Sequence, residues 1–494
     1  MKRRLFISAM AVFIAAVLSC TSVVPAFAGA SVEGIPVINI EGINSDTLYE
    51  NIGTPEERAV FVPSQEAILK ASARLALPLS RVLIDRDFRR FGDTFIPVAY
   101  DIFDPISCNP DGTSKYNVGI KSDMTLPQGY QFDRTLTFNY DWRRDPMSVA
   151  DDLKAYIDYV KRETGSKEID LIPNSMGGVV AAAYLMKYGS ADIDTLILRS
   201  CAVQGVSLVG ELFTQNVSVD EQVIKNFIRG MMKDEALADE INLGLDAAGV
   251  YGFGVGFVNE LIRELKGRAY DEVLKKVYAT MPGIWSLVPD KYYENAKAMM
   301  LDEQANAALI EKIDAYHYGV QCNLKKILDG VIESGTKLAL TSNYGLQGIP
   351  LTPNIYAQTD YLIDTVYTSA GATCAPLGSD LGVDYIQAVA DGHNHLSADR
   401  VVDASTCMYP EYTWFIKGMV HTQFNADYYE MISWILNADT QPDVFSDARY
   451  PQFFILNKAE NTLSPLTAPQ PGAPTLIQNL ARLLDALQAA FVLR

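Results

Sequence analysis

A serine lies at a predicted sharp turn between a strand and a helix. Residues 173–178 are Pro-Asn-Ser-Met-Gly-Gly with Ser175 third, after the predicted short strand 168–172 and before a segment of small residues. In a nucleophile elbow, such a turn exposes the serine hydroxyl and directs the next backbone N–H at a substrate carbonyl. Gly177 supplies a small residue after the serine, whereas Pro173 replaces the usual glycine before it. The pattern predicts Ser175 as a nucleophile; the alternative is an ordinary turn with an incidental serine.

A serine nucleophile needs a base, and the chain has four histidines. In hydrolases with such a nucleophile elbow the order along the chain is serine, acid, histidine. This order favours the last of the four histidines, His421. We interpret His317, in a helical stretch, as a surface or packing residue. His393 and His395 are two residues apart, which is a weak signal for a metal site. We therefore predict His421 as the base and no metal ligands.

The acid that orients the histidine is expected in a loop after a late strand. Asp391 is the favoured candidate, and Asp399 and Asp403 are the less favoured ones. The carboxylate would hold the imidazole tautomer and stabilise the imidazolium. An Asp-Gly surface turn is the alternative interpretation of Asp391.

Two further pairs of residues complete the predicted site. The backbone N–H groups of Met176 and Ile43 are predicted to form an oxyanion hole, Ile43 because it follows the first strand. Trp142 and Trp285 are predicted to bind substrate. No cofactor is expected.

The elements that position these residues alternate between strands and helices, which predicts an α/β fold with a largely parallel sheet. Strands are predicted at 35–40, 136–140, 168–172, 193–198 and 337–342. Helices are predicted at 148–164, with Ser148 as cap and Gly165 as terminator, and at 176–188, 220–232, 259–277 and 428–436. The glycine-rich run 249–256 is interpreted as a flexible apolar loop. Strand signals fade over 205–334, which predicts a helical cap inserted into the sheet domain.

The predicted organisation has five parts. Residues 1–28 resemble a signal peptide, because a basic start precedes an apolar run and a small-residue cleavage site. An uncleaved membrane anchor is one alternative, and lipidation at Cys20 is another. The sheet domain is predicted at 29–204 and 335–450 on either side of the cap, and 451–494 as a proline-rich linker with an amphipathic helix. We expect the chain to be exported.

The net charge disfavours some classes of binding partner, and the cysteines bear on zinc binding and on disulfide bridges. The net charge of −19 argues against nucleic acid, because a phosphate backbone would repel the chain. It also disfavours anionic lipid but leaves peripheral contact with a neutral lipid surface open. Apart from Cys20, five cysteines remain, and their spacings match no zinc pattern. Cys374 and Cys407 flank the segment that carries Asp391 and are predicted to form a disulfide bridge in an oxidising compartment.

Several short motifs occur in order along residues 35–436. They are Pro-Val-Ile-Asn-Ile-Glu-Gly at 36–42, Asn-Tyr-Asp-Trp-Arg at 139–143, Asn-Ser-Met-Gly-Gly at 174–178, Met-Pro-Gly-Ile-Trp-Ser-Leu-Val-Pro at 281–289, Asn-Tyr-Gly at 343–345 with Thr-Pro at 352–353, and the Asp-Gly segment at 391–397. Through them the chain resembles the lecithin:cholesterol acyltransferase family of α/β-hydrolases, with its lysosomal phospholipase A2-like and bacterial relatives. The resemblance implies ester chemistry on acyl lipids through an acyl-enzyme, with Asp391 as the acid.

The chain departs from that family pattern at the elbow and around the acid. Asn174 stands where the family has histidine, Glu41 where it has proline, and Gly-His-Asn follows Asp391 where Gly-Thr-Val is usual. These changes bear on substrate choice. The sequence thus predicts a lipase, phospholipase or O-acyltransferase. The alternatives are a peptidase or cell-wall esterase on the same fold, and a catalytically silent lipid-binding protein.

Overall fold

The computed structural model describes residues 34–43, 47–60, 65–121, 124–132, 135–232 and 235–468. The predicted signal peptide at 1–28 and the predicted C-terminal helix lie outside these residues, and both stay predictions. The division into five parts also stays a prediction.

The strands in the described part of the chain form one large sheet and two small ones. They are β1 (Val37–Ile40), β2 (Leu48–Glu50), β3 (Arg58–Val60), β4 (Val118–Gly119), β5 (Leu136–Phe138), β6 (Ile169–Pro173), β7 (Ile193–Arg199), β8 (Lys337–Tyr344), β9 (Thr373–Cys374), β10 (Val402–Asp403), β11 (Thr413–Lys417), β12 (Phe453–Asn457) and β13 (Thr462–Pro465). Among the described residues the large sheet has eight strands in the order β13-β12-β11-β8-β7-β6-β1-β5. All neighbours are parallel except β12 and β13.

The centre of the sheet is buried on both faces. All five residues of β6 are buried, as expected for a central parallel strand covered by helices. β1 pairs with β6 so that Ile40 lies opposite Pro173, and the loops that follow these two strands therefore leave the sheet side by side. This register brings the loop at Gly42 to the turn that carries Ser175.

Helices cover both faces of the sheet. Their bounds are Gln65–Asp85, Phe88–Phe103, Pro146–Thr164, Gly177–Tyr188, Ser207–Phe213, Glu221–Met231, Glu235–Ala247, Val250–Ala269, Pro282–Trp285, Asp290–Met300, Ala307–Gly319, Leu324–Glu333, Thr365–Thr368 and Ala426–Leu436. A π-helical segment, Tyr270–Leu274, and short 3₁₀ turns such as Gln321–Asn323 join some of them. The predicted fold class, an α/β fold with a largely parallel central sheet and inserted helices, is confirmed by this architecture.

The described residues between β7 and β8 form helices joined by turns and loops and contain no strand, as predicted. The interpretation of residues 249–256 as a loop is wrong, because they begin the helix Val250–Ala269. Tertiary packing overrides the low helix propensity of glycine here. Phe257 of this helix packs on Phe88 with ring centroids 5.5 Å apart. The two helices at 65–103, which the sequence analysis did not predict, therefore pack against the inserted helix Val250–Ala269 in one apolar cluster.

The long helix after β5 begins earlier than predicted. Asp145, rather than Ser148, is its N-cap, and the Asp145 carboxylate accepts a hydrogen bond from the Met147 amide. Pro146 occupies the first helical position, where its missing N–H costs nothing. Gly165 ends the helix with a φ of 72°, as predicted.

Two further expectations concern cysteines and membrane spans. Cys374 and Cys407 are free thiols, so the predicted bridge between them is not formed in this structure. In the part of the chain that the structure describes, no single helix is long and apolar enough to cross a membrane. One bent pair, Leu237–Ala247 with Val250–Thr280, reaches the required length and composition together.

A buried carboxyl in β6 predicts a pH dependence of stability. Asp170 is fully buried, and its burial raises the pKa of the carboxyl from 3.8 to about 7. The folded state therefore holds this proton more tightly than the unfolded state, and stability falls as the pH rises from about 4 to 7. We expect Asp170→Asn to gain stability over the native chain across that window, by a few kcal/mol at most at pH 8. Urea unfolding at several pH values measures the free energy of unfolding of both proteins. If the two free energies change in parallel with pH, the raised pKa of Asp170 is contradicted.

Candidate active site

The turn that carries Ser175 has the geometry of a nucleophile elbow. Ser175 has a φ of 55°, in the left-handed region that residues other than glycine seldom occupy. Its backbone is held on both sides: the Ser175 amide donates to Arg199 O at 3.2 Å, and the Ala202 amide donates to Ser175 O at 2.9 Å. Strain of this kind persists only where the surrounding structure enforces it. The local structure that the sequence predicted for Ser175 is therefore present.

Two glycines allow the chain to approach this turn closely. A Cβ atom on Gly177 would lie 2.1 Å from Ile40 O, so only glycine fits between the turn and β1. A Cβ atom on Gly42 would lie 2.8 Å from Ser175 Oγ and 3.5 Å from the Met176 amide nitrogen. Gly42 thus leaves a space next to the hydroxyl, bounded by the Met176 amide that the sequence predicted as an oxyanion donor. The predicted role of the Ile43 amide stays a prediction.

His421 lies in the loop after β11, in the environment of an oriented base. Its Nδ1–H donates to Asp360 Oδ2 at 2.7 Å, and its backbone amide donates to Asp360 O at 2.9 Å. Its Nε2 atom is buried and makes no hydrogen bond within the described residues. The proton on Nδ1 leaves the Nε2 lone pair available to accept a proton.

The carboxylate next to His421 belongs to Asp360, not to Asp391. Asp360 is fully buried in the loop that follows β8. Its Oδ1 accepts hydrogen bonds from the Leu362 and Ile363 amides at 3.0 and 2.8 Å, which leaves Oδ2 for the imidazole. The chain order Ser175, Asp360, His421 satisfies the order expected for a hydrolase triad.

The prediction of Asp391 as the acid for His421 is wrong in this structure. Asp391 Oδ2 accepts instead from His395 Nε2 at 2.9 Å, and His395 Nδ1 contacts Gln452 Oε1 at 2.9 Å. The backbone amide of His393 lowers the pKa of the Asp391 carboxyl. Asp391 therefore orders the 391–395 segment.

The two less favoured candidates for the acid also have other partners. Asp399 forms an ion pair with Lys417 at 2.7 Å, and Asp403 accepts from the Ser405 amide at 3.0 Å. The missed residue, Asp360, had one signal in the sequence: it lies in the loop after the predicted strand 337–342. In the sheet, that strand pairs directly with β11, the strand that leads to His421.

A buried arginine connects the elbow to the loop of His421. Arg199 is the last residue of β7, and its carbonyl oxygen accepts a hydrogen bond from the Ser175 amide. Its guanidinium lies 4.9 Å from the ring centroid of Phe424, which follows His421 in the same loop, and 3.6 Å from Glu41 Oε1. Ser175, Asp360 and His421 thus all follow the carboxyl ends of parallel strands in one sheet. Arg199 packs between the turn that carries Ser175 and the loop that carries His421.

Both tryptophans predicted to bind substrate are core residues. Trp285 is 1 % exposed, its Nε1–H donates to Ala279 O at 2.8 Å, and its ring packs edge-on against Phe213. Trp142 is 2 % exposed. Side chains buried in this way have no free face for a ligand, so the structure contradicts their assignment as substrate contacts.

The segments of these tryptophans have a positioning role instead. A Cβ atom on Gly283 would lie 1.9 Å from Trp142 O and 3.0 Å from the Met176 side chain, so the turn at Gly283 packs directly on the elbow. The Gly283 amide also donates to Arg143 O at 3.0 Å. Arg143 is held by Asp141 at 2.6 Å, so this buried ion pair fixes the loop on which the inserted helices rest.

Two clusters bring possible metal ligands together in the described part of the chain. They are Asp290, His317 and Cys322, and Asp391, His393 and His395. Neither cluster includes a residue of the site around Ser175. The sequence analysis predicted no metal ligands, because it treated the two-residue spacing of His393 and His395 as a weak signal and His317 as a surface or packing residue.

No family model and no curated protein matches the chain. Among solved structures, the Tle4–Tli4 complex is similar at 12 % identity over 81 % of this chain and 96 % of that one, with a TM-score of 0.32. An aryl esterase from Burkholderia cenocepacia is similar at 12 % identity over 68 % and 76 % of the chains (TM-score 0.19). A meta-cleavage product hydrolase from Pseudomonas fluorescens IP01 is similar at 14 % identity over 56 % and 85 % (TM-score 0.14). Similarity at this level does not bear on the activity of the chain.

The choice between the two aspartates is testable by substitution. Asp360→Asn should lower the rate of 4-nitrophenyl acetate hydrolysis by about 10³–10⁴-fold, because the amide no longer favours the tautomer with the proton on Nδ1. Asp391→Asn is the matched control and should stay within a few-fold of the native rate. Stopped assays at saturating ester give kcat for both variants. A large loss in Asp391→Asn with a small one in Asp360→Asn would contradict the assignment.

The space at Gly42 gives a second prediction. In Gly42→Ala the added methyl would lie 2.7 Å from Ser175 Cβ, so it must displace the hydroxyl or fill the oxyanion space. We expect kcat to fall on the order of 10²-fold, as when one oxyanion donor is lost. Gly244→Ala, where the new Cβ meets nothing within 4 Å, is the control. Native-like kcat in Gly42→Ala, in a protein with unchanged circular dichroism, would contradict this arrangement.

Proposed function

We propose that the chain is a serine esterase that uses Ser175, His421 and Asp360. The observation that carries the proposal is the buried His421 whose Nδ1–H is fixed by Asp360 while Nε2 has no partner among the described residues. Ser175 lies in the same sheet on a strained turn of the kind that exposes a nucleophile. An imidazole that is held in one tautomer, with its Nε2 lone pair available, can act as a general base for such a serine.

In the proposed first step, Ser175 Oγ attacks the acyl carbon of an ester and transfers its proton to His421 Nε2. Asp360 stabilises the imidazolium that forms. The negative charge that develops on the acyl oxygen is stabilised by the Met176 amide, with the Ile43 amide as the proposed second donor. The C–O bond to the alcohol then breaks, and the alcohol leaves with the proton from Nε2.

In the proposed second step, water or an alcohol attacks the acyl-serine. His421 takes the proton of the attacking group and returns it to Ser175 Oγ as the acyl product leaves. Water as acceptor gives lipase or phospholipase activity, and an alcohol as acceptor gives O-acyltransferase activity. Neither route needs a cofactor.

We propose acyl lipids as the substrate class. The resemblance of the sequence to the lecithin:cholesterol acyltransferase family supports this choice. Some apolar side chains on two helices are also exposed, as side chains that contact a lipid surface would be: Leu77 and Ile84 on Gln65–Asp85 are 57 % and 69 % exposed, and Leu243 on Glu235–Ala247 is 71 % exposed. Export is proposed from the signal-like sequence at 1–28.

The proposal is tested with 4-nitrophenyl esters of increasing chain length. The native chain should hydrolyse them, with kcat/KM rising towards long acyl chains presented in neutral micelles. Ser175→Ala should lose at least about 10³-fold, because the nucleophile is absent. Ser166→Ala, at a surface turn, is the control. Absence of hydrolysis for all esters, with retained binding to neutral micelles, would instead support a catalytically silent lipid-binding protein.

A further inference from the structure

A second group of chemically reactive side chains lies within the inserted helices. Asp290 begins the helix Asp290–Met300, His317 lies in the helix Ala307–Gly319, and Cys322 lies in the 3₁₀ turn that follows. The His317 side chain is 4 % exposed, whereas Asp290 and Cys322 face solvent. The site of ester chemistry described above uses none of the three.

The three side chains direct their ligand atoms at one point. His317 Nε2 lies 3.1 Å from Asp290 Oδ1 and 3.5 Å from Cys322 Sγ, and the sulfur lies 3.6 Å from Asp290 Oδ1. Bond lengths to zinc in proteins, combined with a tetrahedral angle, require ligand atoms about 3.3–3.6 Å apart. The two edges to the sulfur lie in this range and the Nε2–Oδ1 edge of 3.1 Å is slightly shorter, so the observed triangle is close in size to one face of a zinc tetrahedron.

The imidazole is oriented as a ligand by its other nitrogen. The Gln321 amide donates through Nε2 to Val288 O at 3.2 Å and to Ser286 O at 3.4 Å, so its oxygen faces His317. That oxygen accepts from His317 Nδ1–H at 2.7 Å, which leaves the lone pair on Nε2. A histidine whose second nitrogen is fixed by a hydrogen bond is the usual arrangement at metal centres.

The charges also favour a cation at this point. Without one, the Nε2 lone pair faces a carboxylate oxygen, and a thiolate on Cys322 would be repelled by Asp290. A divalent cation attracts all three groups and stabilises the thiolate form of the cysteine. This arrangement also argues against a cysteine nucleophile, because the carboxylate lies on the same imidazole nitrogen as the sulfur and not on the opposite one.

We propose that Asp290, His317 and Cys322 bind a zinc-class divalent metal ion. Gln321 is a positioning residue that holds the imidazole. The exposed side of the triangle leaves a fourth position for water. Since the ligands come from two helices and the turn after the second, the ion would join the helix Asp290–Met300 to the helix Ala307–Gly319 and stabilise the inserted helices.

Cobalt(II) tests the proposal, because a thiolate ligand gives it a charge-transfer absorption band that oxygen and nitrogen ligands do not give. The mature chain is treated with a chelator, dialysed, and titrated with cobalt(II). We expect the band to saturate at one equivalent and to disappear when zinc(II) is added. Zinc should also raise the unfolding temperature of the native chain.

Matched variants separate this site from the rest of the molecule. Cys322→Ser should lose the band and the zinc-dependent rise in unfolding temperature, and Gln321→Ala should weaken zinc binding by about 10–100-fold. Cys374→Ser and His393→Asn are the controls and should behave as the native chain does. The proposal is overturned if the native chain gives no band at equimolar cobalt, or if the band persists in Cys322→Ser. Ester hydrolysis is not part of the readout, so the two proposals fail separately.

Discussion

The strained turn at Ser175 is the constraint on which the rest of the site depends. A left-handed φ at a serine is unfavourable, so the neighbouring chain must enforce it. The enforcement comes from hydrogen bonds to Arg199 O and from Ala202, and from glycines at 42 and 177 that let β1 and its loop approach closely. The in-register pairing of β1 and β6 makes this approach possible. The strain is therefore sustained by the central sheet and not by the turn itself.

The site also depends on the buried pair of Asp360 and His421. A carboxylate without exposure to solvent is costly unless hydrogen bonds satisfy it, and two backbone amides and the imidazole do so. The same bonds fix which nitrogen of His421 carries the proton. The loop after β8 thus provides both the carboxylate that faces His421 and the hydrogen bond that orients the imidazole. To do so, the loop must return to the end of β11, the neighbouring strand in the sheet.

Much of the sheet and its elbow could be predicted from the sequence because the signals are local. Apolar runs, capping residues and a small-residue turn specify β6, Ser175 and the helix that follows, and chain order alone selected His421. Asp360 could not be found this way, because a long loop returns it to the histidine and no local pattern distinguishes it from Asp391. The tryptophans failed for a related reason: apolar residues indicate burial, but the sequence does not say whether a core or a ligand covers them.

The most direct measurement of the central claim is the mass of a covalent adduct. The native chain is treated with a fluorophosphonate, digested, and mapped by tandem mass spectrometry. The account predicts one phosphonyl group, on the oxygen of Ser175, formed much more slowly when His421 is replaced by alanine. An unmodified Ser175, or an adduct on another residue at full occupancy, would contradict it.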